Sequence, residues 1–146
     1  MAKFSFEISK LPDFFNLSAR VENAIVEGLD ELGDDLQLIA QKSAPVDSGD
    51  LERSIERSPV NKSKMSVEVS ASAMNRGFNY ARKMDKDQYR LGIESAWKDA
   101  SSNIKSKYTG VKYSVGTGYL TGSAKKSKRG YTKHIRNKVN NEIKKF

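Results

Sequence analysis

Hydrophobic and polar positions alternate twice over, in two different periods. Phe4, Phe6 and Ile8 alternate with Lys3, Ser5, Glu7 and Ser9, the period of a strand with one apolar face. The strand is either an edge of the protein's own sheet or an N-terminal arm, within about 1–12, that pairs with a neighbouring subunit. Leu11-Pro12-Asp13 breaks it. From about Asp13 or Ser18 to Lys42 the period changes to that of a helix. Val21, Ile25, Leu29, Leu32, Leu36 and Ile39 form one apolar stripe, and Ala24, Leu38 and Ala40 widen it. Counted from Ser18, this helix is roughly 37 Å long at 1.5 Å per residue. Glu22, Glu27, Asp30, Glu31, Asp34 and Asp35 are assigned to its outer surface, as an acidic face turned to solvent or to another subunit. Gly28 and Gly33 each weaken the helix by roughly 1 kcal/mol and mark sites where another element crosses closely.

Pro45 ends this helix near Ser43 and biases Ala44 toward extended geometry. Asp47-Ser48-Gly49 is turn chemistry. Asp47 or Ser48 can then cap a short second helix that places Leu51 and Ile55 on one face and ends at Arg57-Ser58-Pro59. Met65, Val67, Val69 and Ala71 alternate with polar residues as a half-buried strand. Asn75-Arg76-Gly77 is a turn, and Phe78 and Tyr80 continue as its partner strand toward Arg82 or Met84.

Tyr89, Ile93, Trp97, Ala100 and Ile104 have helical spacing, but Gly92 and Ser101-Ser102-Asn103 oppose a strong helix. Residues 86–107 are a helix or an ordered loop, and Trp97 is a core residue or an interface anchor. Val111 to Val115 form a strand, followed by a turn at Gly116-Thr117-Gly118. Residues 121–130 form a basic loop, mobile when free. Tyr131, Ile135, Val139, Ile143 and Phe146 outline a final amphipathic helix, with His134 at its boundary. The elements add up to an α+β fold. A long N-terminal amphipathic helix and a C-terminal helix pack on a small, mostly antiparallel β-sheet, in one domain over residues 1–146.

Composition narrows the chemistry. There is no cysteine and one histidine, which excludes disulfides, thiol catalysis and multi-histidine metal sites. No apolar run reaches the roughly 20 residues of a membrane span, and the N-terminus lacks a signal-peptide core. Gly116-Thr-Gly118 is not a nucleotide loop, because Thr121 stands where the dinucleotide fingerprint needs glycine and no Lys-Ser/Thr pair follows. No catalytic constellation or cofactor motif assembles. The net charge of +8 is divided unevenly. Residues 1–59 carry 12 of the 18 acidic and 6 of the 26 basic residues; residues 60–146 carry the rest. Such asymmetry suits a nucleic-acid surface or complementary faces on neighbouring subunits. Lys125, Lys126, Lys128, Arg129 and Lys133 are the candidates for contact with DNA, with Tyr108, Tyr113, Tyr119 and Tyr131 interleaved among the basic residues.

Ala44-Pro45-Val46-Asp47-Ser48-Gly49-x-Leu51-x-x-Ser54-Ile55 resembles the signature of small tailed-phage neck proteins, the tail-completion or head–tail joining (minor capsid) proteins. Two weaker echoes follow in order: Tyr80-Ala81, and Val115-Gly116-x-x-Tyr119-Leu120-x-x-x-Ala124. The family has an acidic residue or histidine a few positions after its Tyr-Ala, where this chain has Met84-Asp85. The resemblance implies a structural virion protein without enzymatic activity or cofactor. It would be assembled in the host cytoplasm into a ring at the head–tail interface, with six-fold symmetry favoured and twelve-fold as the alternative. The partners implied are copies of itself, the adjacent neck, connector and tail proteins, and DNA passing through the channel, with no membrane. Phe4, Phe6, Ile8, Glu27, Asp30, Glu31, Asp34 and Trp97 are the candidates for subunit contact. The alternative function is a stand-alone basic nucleic-acid-binding protein.

Overall fold

The computed structural model describes residues 2–7, 19–46, 49–75, 78–101 and 103–144. Ile8, the break at Leu11-Pro12-Asp13, Asp47, Ser48, Arg76-Gly77 and Phe146 lie outside the described residues. The fold is α+β. Strand β1 (Ala2–Glu7) leads to the long helix α1 (Ala19–Ser43), the short helix α2 (Asp50–Arg53) and strands β2 (Glu56–Arg57) and β3 (Ser66–Ala71). A small hairpin, β4 (Met74–Asn75) and β5 (Phe78–Asn79), is followed by helices α3 (Tyr80–Lys86) and α4 (Ile93–Ser101). Strands β6 (Ile104–Lys105) and β7 (Lys112–Tyr113) pair before the final helix α5 (Thr121–Ile143).

β1, β3 and β2 form an antiparallel sheet with β3 in the middle. Phe4 lies opposite Val69 and Phe6 opposite Val67, so β1 is an edge of the protein's own sheet. Phe4 and Phe6 are half-buried against the main core. Val67, Val69 and Ala71 point inward as the alternation requires. Met65 is not in the strand: it takes a left-handed conformation at φ 48° just before β3 begins.

Helix α1 buries its expected stripe; Ile25 and Leu29 are fully enclosed. Leu38 departs from that expectation, because it is 50% exposed. Helix α5 crosses α1 at Gly28, where an added Cβ would sit 3.1 Å from Ile135 Cγ1. At Gly33 it would sit 2.9 Å from Val67 Cγ2 and 3.1 Å from the Arg57 guanidinium. Both helix-weakening glycines therefore admit a neighbour that alanine would displace.

Several elements differ from the sequence reading; the strand expected from Val111 to Val115 is confined to Lys112–Tyr113. The second helix stops at Arg53, and Glu56–Arg57 pair with β3 instead. The strand expected to continue through Tyr80 ends at Asn79, whose side chain accepts a 3.1 Å bond from Arg82 N and caps α3; side-chain capping favours helix over ladder there. Residues 121–130 are not a loop but the first turns of α5. Their small residues are inward packing positions: Ser123, Ala124 and Ser127 are buried, while Lys125, Lys126, Lys128 and Arg129 face out.

Candidate functional site

The three signature segments meet in space. Ser43 O, at the C-terminal end of α1, accepts a 3.0 Å bond from Gly116 N. Gly116 is at φ 127°, a conformation that favours glycine. Tyr119 Oη donates a 2.8 Å bond to Ala81 O, and Asp85 accepts from Leu120 N at 3.1 Å, Thr121 N at 3.0 Å and Thr121 Oγ1 at 2.7 Å. Asp85 thus satisfies free N–H groups at the start of α5 and complements its dipole. Pro45, Leu51, Ala81 and Leu120 are buried and Tyr80 is half-buried. Gly49 is at φ 84°, and Ser54 Oγ donates to Leu51 O at 2.7 Å while accepting from Ser72 N at 3.3 Å. These residues build a joint between α1, α3 and α5.

Helix α4 is fastened to that joint by polar residues. Ser95 Oγ accepts from Val46 N at 2.7 Å and donates to Val46 O at 3.2 Å. Lys98 Nζ donates to Gln41 O and Ala44 O, each at 2.8 Å, and pairs with Glu52 at 3.3 Å. Lys98 therefore serves two carbonyls at the C-terminal end of α1, where helices lack N–H partners and favour positive charge. Asp99 Oδ1 accepts from Val115 N at 2.9 Å. With its polar side inward, α4 turns its apolar side out: Ile93 is 79% and Trp97 72% exposed. The stripe Tyr89, Ile93, Trp97, Ala100, Ile104 does not form one face. Residues before Ile93 are outside the helix, Ile104 is a buried strand residue, and Trp97 is not in the core.

The acidic face of α1 is largely neutralised within the chain. Arg57 bridges Asp30 at 2.7 Å and Asp34 at 2.9 Å, and also donates to Asp30 O at 2.9 Å. Lys138 of α5 pairs with Glu31 at 2.6 Å and Glu27 at 3.2 Å, and His134 bonds Glu31 at 2.8 Å. Burial works against the charge on Glu31, but the hydrogen bonds and charges of Lys138 and His134 outweigh it and lower its pKa. Asp35 is not on the outer surface at all. It is buried and accepts from Tyr131 Oη at 2.5 Å, Ser106 Oγ at 2.7 Å and Lys107 N at 3.2 Å. Spacing places Asp35 beside Asp34 in the acidic run, and partners 71 to 96 residues away distinguish its role.

The basic side of α5 is the opposite case. Lys125, Lys128, Arg129, Lys133 and Arg136 line one shallow groove with Thr132 and Asn137. Among the described residues, none of these five cations is in an ion pair; α5 pairs through His134, Lys138 and Glu142 instead. Lys126 is exposed but does not line that groove. The interleaved tyrosines do not reach it: Tyr113, Tyr119 and Tyr131 are buried, and Tyr108 packs on His134 with ring centres 4.4 Å apart. A separate cleft of about 290 Å³ beside α1 is lined in part by Leu38, Ile39, Ile104 and Tyr108.

Among the described residues no group of three or more histidine, cysteine, aspartate or glutamate side chains is placed to hold a metal, and no helix is long and apolar enough to cross a membrane. No family model, curated protein or solved structure matches the chain.

Proposed function

We propose that this protein is a structural subunit of a tailed-phage neck, a virion protein that forms a ring completing the tail or joining head and tail. The phage assignment rests on the resemblance of the Ala44–Ile55 signature and its two echoes. The observation that carries the assembly reading is the outward apolar side of α4. Ile93 and Trp97 are held toward solvent by Ser95, Lys98 and Asp99 on the other side of the same helix. An exposed tryptophan beside an exposed isoleucine, on a fastened helix, is the kind of surface a protein partner covers. Copies of the chain, and adjacent neck, connector and tail proteins, are the partners in this reading, with six-fold closure favoured over twelve-fold. The ion pairs within the chain leave acid–base complementarity between subunits a smaller part. Glu27, Asp30, Glu31 and Asp34 already have partners, so α4 supplies the main contact.

Light scattering of the purified protein at 50–500 mM salt, with and without DNA, tests this. A closed oligomer without DNA, reduced to monomer by Trp97→Ala, is the expected result. A monomer that closes only with other neck or tail proteins would also agree. A strict monomer that gains mass only on DNA, and loses it at high salt, would replace this reading with a stand-alone nucleic-acid-binding protein.

A further inference from the structure

We infer that the outer face of α5 is a binding surface for duplex nucleic acid that reads the phosphodiester backbone by charge alone. The inference concerns one protomer and a different face from α4, so it does not rest on ring formation. Residues 121–141 contain no aspartate or glutamate. Of the lysines and arginines in that stretch, the fold pairs Lys138 with carboxylates of α1. It leaves Lys125, Lys128, Arg129, Lys133 and Arg136 along one groove. From Lys125 to Arg136 the stripe extends roughly 16 Å along the helix. One strand of a duplex places a phosphate about every 3.4 Å along the axis, so a stripe of that length meets several phosphates.

The buried tyrosines decide which nucleic acid it fits. Proteins that hold single strands add aromatic platforms on which bases stack. Tyr113, Tyr119 and Tyr131 are enclosed, and among the described residues no aromatic side chain lines the groove. A surface with cations and no stacking platform gains most from the target of highest linear charge density, and a duplex has about twice the charge per ångström of axis of one of its strands. A lipid surface is a poorer fit. Membrane-surface helices bury an apolar face in the bilayer, whereas the apolar face of α5, Tyr131, Ile135 and Val139, is buried in the protein core.

The test is fluorescence anisotropy with a 24-base-pair DNA duplex, one of its single strands, and liposomes of anionic phospholipid, all with the full chain. Five neutralised phosphates correspond to an affinity loss of about 500-fold between 50 and 200 mM salt. Two variants each remove five positive charges. One replaces Lys125, Lys128, Arg129, Lys133 and Arg136 with glutamine. The other replaces the exposed Lys62, Lys64, Arg82, Lys86 and Arg90. The inference expects the first to lose duplex binding and most of its salt dependence, with the mass in solution unchanged, and the second to retain both. Equal loss in the two variants would reduce the effect to net charge and overturn it. Tighter binding to the single strand, or to the liposomes, would overturn it as well. Failure of ring formation shows in the light-scattering mass and leaves these comparisons intact.

Discussion

Tyr131 on the last helix donates a 2.5 Å hydrogen bond to Asp35 on the first. Both side chains are buried. Burial, then the bond to Asp35, holds the Tyr131 phenol protonated far above its ordinary range. Ser106 Oγ and Lys107 N complete the shell of the carboxylate and tie the β6–β7 connection to the α1–α5 seam. Tyr131→Phe keeps the ring and removes one donor from a buried acceptor. A hydrogen bond to a charged group contributes about 1.5–3 kcal/mol, and a loss in that range is expected from urea unfolding. Asp35→Leu should cost more, because it leaves Ser106 Oγ and Lys107 N without this acceptor.

Lys98 predicts a different signature. Its ammonium serves the carbonyls of Gln41 and Ala44 and sits beside Glu52. Lys98→Met preserves much of the stem and removes the charge. The expected cost is about 1–3 kcal/mol, the range for buried polar groups left without a partner. Amide hydrogen exchange should rise first over 93–101, since α4 would then lose its bonds to the end of α1. Uniform exchange across the chain would show that α4 is not separately fastened by Lys98.

Glu31 gives the α1–α5 seam a defined acid response. Its folded pKa lies below the ordinary 4.5, so the folded state favours the ionised form. A depressed carboxylate contributes stability that is fully present above the unfolded pKa and is lost as pH falls through the folded one. Glu31→Gln should therefore be less stable than the wild type near pH 7, and the difference should shrink below about pH 4.5. The charged and titratable groups facing Glu31 are Lys138, His134 and Tyr108. Thermal unfolding of both proteins from pH 3 to 7 measures the difference. A gap that stays constant through this range would mean that ionisation of Glu31 does not support the seam.

The architecture was legible where one period dominates. The α1 stripe from Val21 to Ile39 is buried as its spacing demands, and the β3 alternation holds at Val67, Val69 and Ala71 but not at Ser66, which is buried as well. The α5 stripe holds at Tyr131, Ile135 and Val139 and fails at Ile143, which is 52% exposed. Sequence reasoning failed where polar residues take the inner positions. On α4 only Ile93, Trp97 and Ala100 of the predicted stripe are helical, and they face out, because Ser95, Lys98 and Asp99 find backbone partners that become neighbours only in the folded chain. Residues 121–130 resemble a loop in composition, yet Ser123 and Ser127 close their hydroxyl bonds on Gly118 O and Ser123 O and pack as small core residues. Of the surfaces proposed for interaction, spacing alone reads Trp97 as core or anchor, and composition alone places Lys125, Lys126, Lys128 and Arg129 on a loop, with Lys133 on the helix after it.

Two glycines of α5 should respond oppositely to the same substitution. At Gly130 an added Cβ would meet the Thr109 side chain, 2.8 Å from its Cβ, and lie 3.3 Å from the Thr109 Cα. Thr109 is held in its turn by a 3.1 Å bond from its own N to Ser106 Oγ, so the backbone there cannot retreat without disturbing the group that serves Asp35. At Gly122 nothing lies within 4 Å of the added atom. Alanine favours a helix over glycine by about 1 kcal/mol in the interior and by less in a first turn. Gly122→Ala should therefore be neutral to mildly stabilising. Gly130→Ala should destabilise by about 1–3 kcal/mol, the usual cost of overpacking, despite the larger gain in propensity at its interior position. Urea midpoints of the two variants against the wild type test the close approach of α5 to the β6–β7 connection. A stabilised Gly130→Ala would show that Thr109 yields freely and that this approach is not tight in solution.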